Sequence, residues 1–164
     1  KSISNDMSDS LLIEEHKESL SQSISQSDYN QSFIYLLSKA FENENYQYVK
    51  TLLSNNKFNS EDKMLNAFVK RLKAEFLFAD DISKSSSLFL ESIELVPNYD
   101  LKIQWSTELI NIHIDNSNFK DAEYVLDFLK KQIDEDISLS TSEKNNLKFI
   151  EAKLEQLSNT KKNE

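Results

Sequence analysis

Histidine, cysteine and paired carboxylates are the side chains through which a chain like this could do chemistry, as metal ligands, nucleophiles or acid–base pairs. The sequence holds two histidines, His16 and His113, no cysteine, and 28 aspartates and glutamates. The two histidines stand far apart in the chain, and neither has a metal-ligand residue at helical spacing, so both are read as structural. The absence of cysteine removes disulfides, thiolate zinc sites, iron–sulfur clusters and cysteine nucleophiles together. Two carboxylates facing one another in a cleft would suffice for acid–base work. Yet no acid is paired with a histidine, and no Ser–His or Asp–His constellation has a plausible context. The expectation is a protein that is not an enzyme and needs no cofactor or metal.

The backbone composition removes further classes. There is no glycine and a single proline, Pro97. Tight β-hairpins draw on glycine for positive φ, and phosphate-cradling loops and dinucleotide fingerprints need it so that backbone can approach phosphate. The EF-hand loop needs glycine at its sharp turn, so the acidic run Asp134-Glu135-Asp136 is read as solvated helix or loop surface. The net charge of −9 and a pI near 4.8 repel nucleic acid and anionic lipid unless basic residues are concentrated. Lys70-Arg71-Lys73, Lys130-Lys131 and Lys161-Lys162 are too small for that and are read as solvated helix face or tail. No apolar run approaches the ~18 residues of a membrane span. The chain starts at Lys1, which leaves the compartment open: cytoplasmic, or extracytoplasmic after removal of an N-terminal signal.

What remains to position side chains is helix. Residues 1–28 are serine-rich and are expected to form a flexible leader with a possible short helix near 8–24. The tail 159–164 is polar and expected to fray, which leaves 29–158 as the helical domain. There, apolar residues recur at three and four: Phe33, Leu36, Leu37 and Ala40; Val49, Leu52 and Leu53; Met64, Leu65, Phe68, Val69, Leu72 and Phe76. The pattern continues through Leu88, Phe89, Ile93 and Val96, then Ile103, Leu109, Ile110 and His113, then Ala122, Val125, Leu126 and Leu129. A last helix carries Leu147, Ile150, Leu154 and Leu157, and Ser140 with Glu143 forms a capping box at its start. Seven core helices are expected. Asn55-Asn56 and Pro97-Asn98 mark breaks, with asparagine expected to take the left-handed role usually held by glycine. Trp105, Phe76, Phe89 and Phe128 are read as core, and Phe78, off the main stripe, as a contact or wedge.

A period then emerges. Tyr46, Ile82 and Phe119 begin helices at intervals of about 36 residues, close to the ~34 of tetratricopeptide repeats. Leu109, Phe119, Ala122 and Leu126 match that family's leucine, aromatic, alanine and large positions. Val69, Leu72, Phe76 and Phe89 fit a second unit, closed by the segment Ser92-Ile93-Glu94-Leu95-Val96-Pro97-Asn98. Phe33, Leu36, Ala40, Tyr46 and Leu53 fit a first. The chain thus resembles the tetratricopeptide-repeat family over roughly residues 30–135, with departures. Leu37, Lys73 and Ile110 stand at small packing positions, and Glu44, Asp80 or Ser117 at the turn glycine.

The resemblance implies an all-α fold of antiparallel helix-turn-helix repeats forming a short right-handed α-solenoid, about three helix pairs plus a C-terminal capping helix. It also implies a protein–protein interaction module or assembly scaffold that binds a peptide or helix of another protein in a concave groove. In this register the groove is lined by Gln31, Ile34, Ser38, Lys70, Ala74, Gln104, Thr107 and Asn111. Ile34 and Ser38 stand where the family's carboxylate clamp has lysine and asparagine, which argues against that role. The other reading is a structural spacer tethered through the leader as part of a larger complex. Nucleic acid and a membrane span are not expected.

Overall fold

The computed structural model of the chain describes residues 3–22, 25–55, 57–133 and 139–161. Among the described residues the structure is all-helical, with eight helices and no strand. They are α1 (Ile3–Gln22), α2 (Gln26–Glu42), α3 (Tyr46–Ser54), α4 (Lys63–Leu77), α5 (Ile82–Leu95), α6 (Tyr99–Asp115), α7 (Phe119–Gln132) and α8 (Thr141–Lys161). The seven amphipathic segments become α2 to α8, and the serine-rich leader region carries α1. Ser23, Ile24, Asn56, the acidic run Asp134-Glu135-Asp136 and Lys162 lie outside the described residues.

The chain divides into two compact units, Lys1–Ser85 and Ser86–Glu164, with the boundary inside α5. In the first unit α1 runs antiparallel to α2. Asp9 meets Lys39 at 3.6 Å near one end, and His16 Nδ1 is hydrogen-bonded to Ser32 Oγ at 2.9 Å near the other. The His16 ring stacks on Tyr35 with centroids 4.2 Å apart. Ile13 and Leu20 supply the apolar contact of α1 with the core, which is built on Tyr29, Phe33, Leu36, Leu37, Ala40, Val49, Leu52, Leu53 and Val69. Helices α2 and α4 point the same way. Phe33 packs on Phe58, just before α4, at 5.2 Å, and Phe41 packs on Phe76 at 5.5 Å where both helices end. Helix α3 runs back between them.

Unit two repeats this alternation. Ser86 and Phe89 of α5 face His113 and Trp105 of α6, at 2.9 Å and with ring centroids 6.4 Å apart, while Lys102 Nζ donates to the Glu94 carbonyl at 3.0 Å. Contacts that move forward on one helix and backward on the other define an antiparallel pair. Ile93, Val96, Ile103, Trp105, Leu109, Ile110, Ala122, Val125 and Leu129 are each no more than 3% exposed and form the core.

The helix starts follow side-chain chemistry. Ser25, Asn45, Asp62 and Asn98 each accept a hydrogen bond from an amide in the first turn of α2, α3, α4 and α6, which satisfies donors that have no intrahelical partner. The capping box at α8 is reciprocal. Glu143 N donates to Ser140 Oγ at 3.2 Å, and Ser140 N donates to the Glu143 carboxylate.

Among the described residues the left-handed conformation does not fall on an asparagine, and Asn56 lies outside them. Asn55 has φ −110°, a right-handed value that corrects the expected role for it. Positive φ occurs at Glu44 (52°) and Ser117 (59°). Around Glu44, Asn43 N donates to Lys39 O, Glu44 N to Phe41 O and Asn45 N to Ala40 O at 3.0, 3.0 and 2.8 Å. Around Ser117 the same three bonds recur, from Asn116 N to Ile112 O, Ser117 N to Ile114 O and Asn118 N to His113 O. Both are Schellman closures, whose six-residue hydrogen bond needs a left-handed residue after the cap. A Cβ in that conformation costs about 1–2 kcal/mol, part of which glycine returns as unfolded-state freedom. Glu44→Gly and Ser117→Gly are each expected to raise stability by about 0.5–1 kcal/mol, read as an upward shift in urea midpoint at unchanged slope. A loss of stability in both variants would show that the turns are held by more than their backbone.

Helix α4 buries part of the stripe that its apolar spacing picks out: Val69 is in the core, and Leu72 and Phe76 pack against it. Ala67, Val69 and Ala74 are buried, whereas Leu65 and Phe68 are 37% and 46% exposed. The small residues that allow close helix approach are therefore Ala67 and Ala74 in α4, Ser92 in α5, Ser106 in α6 and Ala122 in α7, each no more than 1% exposed.

Candidate functional site

The expected groove residues scatter by environment. Gln31 and Ser38 are exposed on α2, and Ile34 is half-buried against the core of its unit. Lys70 is half-buried. Ala74 is 1% exposed, and its carbonyl accepts from Ser85 Oγ at 3.0 Å, so its methyl group offers no surface to a ligand. Asn111 Oδ1 accepts a hydrogen bond from Lys153 Nζ at 2.6 Å. Gln104 and Thr107 are brought together, in a cleft between α6 and α8.

That cleft has a volume of about 480 Å³ and is lined by Asp100, Ile103, Gln104, Thr107, Glu108, Asn146, Phe149 and Ile150. It exists because α6 and α8 run in the same direction. Asp100 and Glu143, both in first turns, meet at one end, and Asn111 and Lys153 are bonded at the other. Helix α7 holds α8 from the side through the Lys130–Glu151 ion pair at 2.6 Å. Ile150 and Leu154 turn inward, at 3% and 6% exposed, and anchor α8 on the core. Phe149, beside them, stays 70% exposed. Ile103 and Ile150 lie at the bottom of the cleft with only 2% and 3% of their surface exposed, so Phe149 is its main accessible apolar group, and Gln104, Thr107 and Asn146 give it polar walls.

Charge concentrates at the end where α6 and α8 begin. The Glu143 carboxylate lies close enough to raise the Asp100 carboxyl above its ordinary range. Glu143 itself is held below the usual range, first by the backbone amide of Ser140. No lysine or arginine lines the cleft. Lys153 is tied to Asn111, and Lys102 is buried against the Glu94 carbonyl and Gln132.

Phe149 is the residue that the apolar period passes over, because it falls off the stripe Leu147, Ile150, Leu154 and Leu157. A signal was available: an aromatic between Lys148 and Ile150 on the polar side of an amphipathic helix has no core to enter.

The histidines are structural in geometry. His113 is 2% exposed, Nε2 is hydrogen-bonded to Ser86 Oγ at 2.9 Å, and Nδ1 has no hydrogen-bond partner. Burial lowers its pKa, with Asp121 acting in the opposite direction. The unfolded chain therefore takes up this proton first as pH falls. The contribution of neutral His113 to stability is complete above the unfolded value of 6.5 and is lost as pH falls from there through the folded value. Thermal melts between pH 7.5 and pH 5 are expected to drop more steeply for the native chain than for His113→Gln; equal slopes would remove the assignment. Among the described residues no group of three His, Cys, Asp or Glu gathers to hold a metal ion, and no helix is long and apolar enough to cross a membrane.

No protein-family model matches the chain, and neither a curated protein nor a solved structure was found to match it.

Proposed function

We propose that this chain is a non-catalytic protein–protein interaction module, built from helix pairs of the tetratricopeptide kind, that binds a peptide or helix of a partner in the α6/α8 cleft. The observation that carries the reading is Phe149, a 70% exposed ring beside a floor of Ile103 and Ile150. A large aromatic held out of the core by a well-anchored helix gives a partner contact area at little entropic cost. The exposed amides of Gln104 and Asn146 provide polar contacts of the kind that an extended or helical backbone requires, while Thr107 between them is half-buried and its hydroxyl donates to the Ile103 carbonyl at 2.7 Å. Three further features support the repeat reading: the common direction of α2 and α4, the common direction of α6 and α8, and the matching Schellman turns at Glu44 and Ser117. In that frame α8 takes the place of the first helix of a following pair, so the cleft lies between successive first helices.

The test is selection from a random peptide display library against the intact chain, followed by affinity measurement of the enriched peptides with Phe149→Ala. Since the ring is mostly outside the core, the variant is expected to melt within a few degrees of the native chain. Loss of the anchor is expected to weaken the selected peptides by at least about tenfold. Peptides that bind Phe149→Ala and Asn146→Lys as tightly as the native chain would place the interaction elsewhere and overturn the proposal.

A further inference from the structure

We infer that α1 of a second copy lies antiparallel along the exposed face of α8, at the mouth of the cleft, joining copies of the chain head to tail. This rests on the interaction reading above and names the partner helix that Phe149 receives. Helix α1 turns Ile13, His16 and Leu20 towards its own unit. Leu11 falls on the other side of the helix and is 66% exposed, and Leu12 is 39% exposed. On α8, Ile150 and Leu154 face the core while Phe149 points away from them, 70% exposed. Each helix thus presents a small apolar group outward, set among polar residues.

Charge decides what these groups meet. Helix α1 holds five carboxylates and one lysine, and α8 holds four lysines and three carboxylates. With a net charge of −9 on each chain, most surfaces of two copies repel, and α1 on α1 would set acid against acid. Helix α1 on α8 brings opposite signs together. Glu15 and Glu18 of α1 and Lys144 and Lys148 of α8 are exposed, and among the described residues none of them forms an ion pair. Their order gives the direction. The two glutamates follow Leu11 and Leu12, whereas the two lysines precede Phe149. With Phe149 seated on the leucines, an antiparallel α1 brings Glu15 to Lys148 and Glu18 to Lys144. From Leu12 to Glu18 a helix advances roughly 9 Å, and from Phe149 to Lys144 roughly 7.5 Å, at ~1.5 Å per residue, so the two rows stay in register.

The repeat order supplies the same neighbour. Helix α1 lies antiparallel to α2 and beside α3, with Lys17 Nζ 5.6 Å from the Tyr48 ring, in the place of the second helix of a preceding pair. Helix α8 stands in the place of the first helix of a following pair, so α8 and the second copy's α1 complete a pair. The contact is heterologous, one kind of face meeting the other, and a single helix pair around one ring makes it weak.

In sedimentation equilibrium of the full chain, the weight-average mass is expected to rise at least twofold between about 10 µM and about 1 mM. Leu11→Glu with Leu12→Glu leaves only the α8 face available, and Phe149→Glu leaves only the α1 face. All three side chains are exposed, so both variants should keep the native far-UV circular dichroism. Each variant alone is expected to stay monomeric, and an equimolar mixture to form dimers and nothing larger. Adding Lys144→Glu and Lys148→Glu to the first variant should weaken the mixed dimer at least about tenfold, and adding Glu15→Lys and Glu18→Lys to the second should restore it. Absence of that rescue would overturn the register and the inference with it. If the first variant associates alone, α8 pairs with α8; if the second does, α1 pairs with α1; either result overturns the inference. A monomeric mixture beside an associating native chain places the contact on other surfaces. A native chain that stays monomeric throughout also overturns the inference, while peptides selected through Phe149 would leave the interaction reading standing.

Discussion

Phe33→Ala is expected to lower the stability of the first unit by about 3–5 kcal/mol, the range for removing a buried phenylalanine. Phe33 has no exposed surface, and it stands between two other rings, Tyr29 at 6.3 Å and Phe58 at 5.2 Å. Tyr29 and Phe58 are fixed by separate elements. Tyr29 lies on α2, and its hydroxyl accepts from the amide of Lys57 at 2.8 Å, while Phe58 belongs to the stretch that leads into α4. Neither can close the space that the missing ring leaves without giving up its own contacts, so the cavity cost adds to the lost transfer energy. Phe33→Leu retains most of the volume and is expected to cost less than about 1.5 kcal/mol. Urea denaturation followed by far-UV circular dichroism checks both. Similar losses for leucine and alanine would mean that the site needs an aromatic ring rather than volume.

In the second unit the corresponding substitution is Trp105→Ala, with an expected loss of about 3–5 kcal/mol. Trp105 is 2% exposed and packs against Phe89. It also lies two residues after Ile103, on the part of α6 whose other side forms the cleft. Truncation should therefore loosen the α5 contact that keeps α6 in place, and weaken peptide binding beyond what the stability loss alone would cause at low temperature. As the sequence has one tryptophan, circular dichroism rather than fluorescence is the measurement. If Trp105→Ala melts normally, the burial described here does not hold this unit together.

The helices were legible because amphipathic spacing survives wherever one face meets a core. Val49, Leu52 and Leu53, or Ala122, Val125, Leu126 and Leu129, are buried as their spacing requires. The α8 capping box was legible for a related reason, since both partners lie within one turn. Spacing held on α4 for Val69, Leu72 and Phe76, which pack in or on the core, but not for Leu65 and Phe68, and two of the most deeply buried positions are alanines, Ala67 and Ala74. Hydrophobic patterning gives little weight to so small a side chain, although close approach of helices depends on it. The left-handed role expected of asparagine does not fall on Asn55, and Asn56 lies outside the described residues. Asparagine has the better intrinsic preference, but the position is set by where the six-residue hydrogen bond closes, and that falls on Glu44 and Ser117. Of the expected groove, Gln104 and Thr107 reach the cleft because they share a face of α6. Phe149 depends on the parallel arrangement of α6 and α8, a tertiary relation that local periodicity does not contain.

Those two turns have a thermodynamic counterpart. By closing its corners on Glu44 and Ser117, the chain accepts steric strain in the folded state, and it never acquires the broad backbone freedom that glycine would give the denatured one. The entropy released on unfolding is correspondingly smaller. At these two corners the strain outweighs that saving, as the expected gain from glycine implies, so the narrower disordered state offsets the cost of the left-handed turns only in part.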